Sequence, residues 1–354
     1  MPPDSAPPPK SPRRRRGGAT IDDVARQAGV SPMTVSRVVN GATNVRSETR
    51  ERVAAAIAAL DYAPNLAARS LASAGDVRLA LLYANPSAAY LSAFLLGSLD
   101  QATRINAQLV VVPCADADDI AQAAARLARA GVDGVILPAP LCDNVEIQAL
   151  VADAGLPAVA VASGAPPPSL AAVGIDDFAA AHDMTAHLVE QGHRRIGFIA
   201  GNPDQTASAR RFAGYREALA AAGIAVDDGL VAPGLYSYRS GAIATERLLA
   251  LPERPSAIFA SNDDMAAACV AAAHRLGLDV PRDLSVVGFD DTALASEIWP
   301  ELTTIRQPIA DMARTAIDLL VALIRDRRAG QGDAVPEHRI LPFALIRRGS
   351  DGVA

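Results

Sequence analysis

Cysteine is scarce in this chain, and the three present, Cys114, Cys142 and Cys269, lie far apart and are odd in number. That excludes a disulfide framework and a C-x-x-C redox or metal site, and it points to small buried thiols in a reducing cytoplasm. Lys10 is the single lysine among 33 basic residues, there is one tryptophan, and aromatics make up only 4%. A secretory leader is also missing, because the first 18 residues are Pro-rich and basic with no apolar stretch. Residues 79–99 carry no charge over 21 positions, a length that spans a bilayer. Asn85-Pro86-Ser87 interrupts the run, so the expectation is strand, loop and helix, with no membrane partner. G-x-S-x-G, H-E-x-x-H, Walker and G-x-G-x-x-G motifs are all absent. The five histidines, 182, 187, 193, 274 and 338, have no metal-ligand spacing. The acid pairs Asp263-Asp264 and Asp290-Asp291 are adjacent, so their side chains diverge and helix capping is the simpler role. No enzyme activity, cofactor or metal is expected.

Half of the 354 residues are hydrophobic, enough for two or three domains. The net charge of −6 is unevenly placed: residues 1–73 hold 11 basic and 6 acidic side chains, while the remainder holds 22 and 33. A basic head on an acidic body suggests one part for a polyanion and another for a different ligand.

Residues 1–18, with Arg13 to Arg16, read as a disordered basic tail. Thr20 and Asp23 then resemble a capping box, followed by Ile21, Val24, Ala25 and Ala28 at helical spacing. Gly29-Val30 turns the chain. Ser31 caps a second helix with Pro32 at its first position, where a missing N–H costs nothing. Asn40-Gly41 stops it, and a third helix runs from Ser47 to about Leu60 with Val53, Ala54, Ile57 and Leu60 inward. Two short helices across a glycine turn plus a packing helix make a helix-turn-helix domain, 19–64. Val35, Val38 and Val39 point inward on the second helix. Pro32, Met33, Ser36 and Arg37 share the other face, a slim surface whose one long fork reaches guanine O6 and N7. Residues 65–75 form a hinge helix too short to stand alone in water.

From 77 onward, buried-strand runs at 79–83, 109–112, 134–137, 158–161, 196–200, 257–260 and 284–289 alternate with helical patterns at 91–106, 117–130, 176–191, 207–222, 239–250 and 263–276. Such repeats specify doubly wound parallel sheets. The pattern restarts near Ile175, so two lobes with a cleft at the carboxyl ends of the strands are expected.

The run TIDDVARQAGVSPMTVSRVVNG followed by APNLAARSLAS resembles the lactose repressor/galactose repressor family of bacterial transcription regulators. GVDGVILP, QGHRRIGFIAG, RFAGYREAL, IFASNDDMA, VVGFDD and PELTTIRQP resemble its body motifs in the expected order, so the likeness covers about residues 19–348. It implies a helix-turn-helix head with a hinge helix, then an α/β two-lobed body like periplasmic binding proteins, built from two doubly wound parallel sheets. The near-DNA lobe would hold 77–174 and 308–335, the distal lobe 175–305 and 336–348, and 349–354 would be a tail. It also implies base readers Pro32, Met33 and Arg37, and backbone contacts from Thr20, Ser31, Thr34, Ser36, Asn40, Tyr62 and Asn65. At the hinge, Leu71 would wedge into the minor groove with Ala68 one turn earlier.

For the effector, the resemblance implies Arg210, Tyr236, Asn262 and Asp290, with Trp299 near the cleft and Ser87 or Tyr90 from the first lobe. Where relatives often carry an Asp, Asn or Arg after PAVAVA, this chain has Ser163-Gly164, which leaves room for a disaccharide or substituted sugar. The expected function is a cytoplasmic, homodimeric, sequence-specific DNA-binding regulator. It would repress sugar-utilisation genes at a palindromic operator and be released by a small sugar or glycoside. A corepressor-activated regulator is the alternative within the family, and a stand-alone sugar-binding protein the alternative outside it.

Overall fold

The computed structural model describes residues 21–39, 46–60, 77–114, 117–330 and 335–354. The basic tail, Thr20, Asn40, Tyr62, Asn65 and the hinge with Ala68 and Leu71 lie outside the described residues. The chain divides into two units, Met1–Asp76 and Val77–Ala354.

In the first unit, helices α1 (Ile21–Ala28), α2 (Pro32–Val39) and α3 (Ser47–Ala59) close on a small core of Val24, Ala25, Ala28, Val35, Val53 and Ala56. Gly29 sits at φ +64°, a left-handed conformation that glycine adopts without steric cost, and Val30 N–H returns to the Ala25 carbonyl at 3.0 Å. The Ser31 hydroxyl accepts the Thr34 amide at 3.2 Å, which satisfies an orphan donor at the start of α2. Ala54 is exposed and Ala56 is buried in its place. The one-turn spacing from Val53 carries Ala56 and Ile57 inward rather than Ala54.

The second unit holds two six-stranded sheets. The first has the order β11-β5-β4-β3-β1-β2 and the second β12-β10-β9-β8-β6-β7. In chain order the strands are β1 (Arg78–Tyr83), β2 (Gln108–Pro113), β3 (Gly134–Pro138), β4 (Ala158–Val161), β5 (Ala171–Gly174), β6 (Ile196–Ile199), β7 (Val231–Ala232), β8 (Ala257–Ala260), β9 (Ser285–Asp290), β10 (Thr303–Arg306), β11 (His338–Ile340) and β12 (Ala344–Ile346). All pairings are parallel except β10 with β12. Central strands such as β3, β4, β6 and β8 are buried along their whole length, as expected for parallel sheets covered on both faces.

Helices α4 (Ala88–Arg104), α5 (Ala117–Ala130), α6 (Val145–Asp153) and α12 (Ile309–Arg328) cover the first sheet. Gly97 lets α4 and α12 meet backbone to backbone, since a Cβ there would lie 2.6 Å from the Ala310 carbonyl oxygen. Helices α7 (Asp177–Glu190), α8 (Thr206–Ala221), α9 (Tyr238–Leu249), α10 (Asp263–Arg275) and the short α11 (Leu294–Glu297) belong to the second lobe. The chain therefore crosses between lobes after β5, after β10 and after β11.

Two expected boundaries need correction. Residues 336–348 do not all belong to the second lobe. His338–Ile340 is the edge strand of the first sheet, tied to β5 through Ala172 N–H to the Glu337 carbonyl at 2.9 Å and Leu341 N–H to the Gly174 carbonyl at 2.8 Å. Nor is 349–354 a loose tail. Ser350 is fully buried, accepts Val286 N–H at 2.8 Å and donates its hydroxyl to the Val286 carbonyl at 2.5 Å. Asp351 meets His187 at 2.6 Å, so the segment is part of the second lobe.

Candidate functional site

Two surfaces carry functional chemistry. On the head, Pro32, Met33 and Arg37 of α2 are exposed, Met33 at 64%. An unbranched thioether left in water beside a guanidinium is poor surface chemistry for a free domain and suits a face that is covered by a partner. The Ser31 and Thr34 hydroxyls meet at 2.9 Å at the mouth of the same helix, where dipole and free N–H groups favour a phosphate.

On the body, a cleft lies between the lobes. The first lobe supplies Asn85, Ser87 and Tyr90 after β1, Ala139 after β3 and Ala162 after β4. The second supplies Gln205, Ala207 and Arg211 after β6, Tyr236 after β7, Asn262 after β8, Asp290 at the end of β9 and Gln307 after β10. Every one follows the carboxyl end of a parallel strand, where open α/β sheets gather ligand groups. The backbone is strained here: Ala162, Tyr236 and Asp290 have φ of +61°, +57° and +113°. Conformations so sparsely populated outside glycine persist where surrounding packing enforces them, commonly at binding sites. Gly201 makes room for the Tyr236 ring, which a Cβ at that position would overlap.

Arg211 is the electrostatic centre. It is 5% exposed, donates Nε–H to Asp177 Oδ1 at 2.7 Å and Nη1–H to the Ser261 carbonyl at 2.6 Å, and lies 4.0 Å from Asp290 Oδ1. Its guanidinium carbon is 3.6 Å from the centroid of the Phe289 ring, a cation–π geometry. Burial opposes its charge, but Asp177 and other neighbours more than offset this and hold it protonated. Burial raises both Asp177 and Asp290 above the ordinary carboxylate range, and Arg211 counters the rise in each. Asp290 also accepts Gln307 Nε2–H at 2.6 Å. The Tyr90 hydroxyl is buried without a hydrogen-bond partner among the described residues, and burial, followed by Asp290, pushes that phenol up. An unsatisfied buried hydroxyl beside an arginine–carboxylate pair is a site built to be completed by a polar ligand.

The segment at 20–65 matches the family described as bacterial regulatory proteins, lacI family, and 185–350 matches a periplasmic binding protein-like domain. Catabolite control protein A of Priestia megaterium is 33% identical over 91% of this chain and 97% of its own length. The HTH-type transcriptional regulator CelR of Thermobifida fusca is 36% identical over 94% and 98%. Among solved structures, the lac repressor dimer bound to operator and the anti-inducer ONPF aligns with a TM-score of 0.77 at 32% identity, covering 94% of this chain and 99% of that one. The CelR–cellobiose complex aligns at 0.71 with 33% identity, covering 94% and 99%. The chain belongs to the lacI family of bacterial regulatory proteins. It is a DNA-binding transcriptional regulator with the fold class expected from its motifs, and no helix among its described residues is long and apolar enough to cross a membrane.

For this lacI-family chain the cleft brings together Ser87, Tyr90, Tyr236, Asn262 and Asp290 from the expected set. Three expected residues are not on its wall. Arg210 points outward with its side chain 47% exposed, 3.8 Å from Asp176 and over the Phe178 ring. Successive residues on a helix are about 100° apart, so Arg211, and not Arg210, shares the inward face of α8 with Ala207 and Tyr215. Trp299 is 84% exposed. Ser163 is buried but turned to Asp143 Oδ1 at 2.6 Å.

The room expected at Ser163-Gly164 is not there. Thr206 of the other lobe fills it, and a Cβ on Gly164 would lie 2.6 Å from Ala207 N. Asn262 is also more structural than expected. Its Oδ1 accepts Met265 N–H at 3.0 Å as the cap of α10, and its Nδ2 donates to the Tyr236 carbonyl at 3.0 Å. Sequence reasoning missed Arg211, Gln205 and Gln307. The signals were the i, i+4 spacing of Ala207, Arg211 and Tyr215 and the position of Gln307 straight after TTIR.

Proposed function

We propose that this regulator represses its target genes as a cytoplasmic homodimer on a palindromic operator, and that a small neutral sugar or glycoside acts as inducer from the interlobe cleft. Pro32, Met33 and Arg37 read base edges in each half-site, and Ser31, Thr34, Ser36 and Asn40, with Thr20, Tyr62 and Asn65, grip phosphates. Ala68 and Leu71 enter the minor groove at the centre. In the cleft, Arg211 replaces Arg210 as the cation, working with Asp290, Gln307, Tyr90 and Tyr236. The chain acts by binding and not by catalysis, and no metal or cofactor is assigned to it.

The observation that carries the neutral-ligand reading is charge balance. Arg211 already faces Asp177 and Asp290, so an anion would be repelled by the carboxylates and a cation by the guanidinium, whereas hydroxyl groups bond to both. Two relatives support the class by the titles of their structures, one a complex with cellobiose and the other with ONPG. The test is calorimetric titration of neutral sugars into the full-length protein with and without operator DNA. Coupling is reciprocal, so a sugar that weakens operator binding tenfold is itself weakened tenfold, about 1.4 kcal/mol. Tighter sugar binding on the operator complex would reverse the direction to corepression. Sugar binding that survives Asp290→Ala and Gln307→Ala together would reject the site.

A further inference from the structure

The cleft is nearly empty space closed on itself: its cavity is about 30 Å³, a volume for a water or two and not for a sugar ring. What closes it beyond the ligand wall is a compact polar contact between the lobes. Asp143, in the 3-10 turn Leu141–Asp143 after β3, reaches across to Thr206, the first residue of α8. Asp143 Oδ2 accepts the Thr206 amide at 2.9 Å, and its carboxylate accepts the Thr206 hydroxyl at 3.0 Å. The Thr206 oxygen in turn accepts Gly164 N–H at 2.9 Å and Ala165 N–H at 3.1 Å. Ser163 donates to Asp143 at 2.6 Å and completes the group.

The arrangement is specific to closure. Gln205, the cap residue of α8, gives no side-chain hydrogen bond to the helix, so the orphan amide of Thr206 is satisfied by a carboxylate from the opposite lobe. That anion also sits at the positive end of a 16-residue helix. Gly164 is what permits the approach, because any side chain there meets the Ala207 backbone. Across the cleft, Ser87 donates to Asp264 Oδ2 at 2.5 Å and ties the same two lobes at a second point.

We propose that the Asp143–Thr206 contact is an interlobe latch that holds the effector-free chain shut, so that an effector enters only after the latch releases. The latch acts on whatever fills the cleft, and its test does not depend on the identity of the effector.

Spin labels on Ala149→Cys, exposed on α6, and Glu217→Cys, exposed on α8, report the interlobe distance by pulsed dipolar spectroscopy. The native Cys114, Cys142 and Cys269 are buried and escape labelling. The full chain is measured without ligand as the labelled parent, with Thr206→Val, and with Thr206→Ser. The parent and Thr206→Ser should give one short, narrow distribution. Thr206→Val loses the hydroxyl but keeps the shape, and should move at least about tenfold of the closed-to-open ratio toward a longer distance, the change expected from losing charge-assisted bonds. A parent that is already broad or long, or a Thr206→Val distribution equal to the parent, would overturn the latch. A Thr206→Ser distribution as open as that of Thr206→Val would overturn it as well, since the hydroxyl would then not be the cause.

Discussion

Arg211→Ala should destabilise the body by about 3–5 kcal/mol, the usual cost of removing one partner from a buried ion pair. The magnitude follows from what the side chain leaves behind. Asp177 and Asp290 have side chains only 4% and 6% exposed, and both would lose their nearby cation inside the protein. Arg210→Ala is the internal control. Its partner Asp176 is 3.8 Å away and half-exposed, so its loss should cost at most about 0.5 kcal/mol. In urea unfolding of the full chain at pH 8, Arg211→Ala should lower the midpoint by about 1 M or more, given a slope of about 3 kcal/mol/M for a large domain.

The difference should also depend on pH in a fixed direction. Both carboxylates already have raised folded-state values, so folding favours their protonated forms and stability rises as pH falls through those values. Without Arg211 the values rise further, so the gap between parent and variant widens toward pH 8 and narrows toward pH 5. Equal midpoints for Arg210→Ala and Arg211→Ala, or a gap that grows on acidification, would refute the placement of Arg211 at the electrostatic centre of the cleft.

Gly164→Ala should push the lobes apart, because its Cβ would lie 2.6 Å from Ala207 N. The spin-label pair on α6 and α8 should then read a longer distance, and an unchanged distance would show that the backbone yields instead. Arg37→Ala should lose about 1–3 kcal/mol of discrimination at one base pair while leaving binding to random DNA nearly unchanged, read by competition binding on operator and scrambled duplexes. Leu71→Ala should reduce both operator affinity and DNA bending, since the few kcal/mol spent on opening a base step are recovered only when the wedge engages. Electrophoretic bending assays on the full-length dimer measure this, and unchanged bending would remove Leu71 from the wedge role.

The head and the central strands were legible because their signals are local. Ser31, Pro32 and Gly29 each fix one backbone position by their own chemistry, and runs such as AVAV at 158–161 and AIFA at 257–260 are buried on both faces. What escaped depends on partners distant in sequence. His338–Ile340 is exposed along its length, so no hydrophobic pattern marks it, and only main-chain pairing with Ala171–Gly174 makes it a strand. Arg210 and Arg211 are chemically identical neighbours, and only the buried line of Ala207, Tyr215 and Ala218 shows which of them faces the cleft.

Ser163-Gly164 is the sharpest case. Small residues at a ligand-contact position read as vacated space when the chain is considered segment by segment. Space in a closed protein belongs to whatever can approach it, however, and a glycine admits a backbone as readily as it admits a ligand. Here the approaching group is the start of α8, 42 residues further along the chain, and it arrives carrying an amide and a hydroxyl that Asp143 satisfies. The same two small residues therefore set the ligand volume in the opposite direction from the one their size suggests. They let the lobes meet, and a sugar must displace that contact to bind.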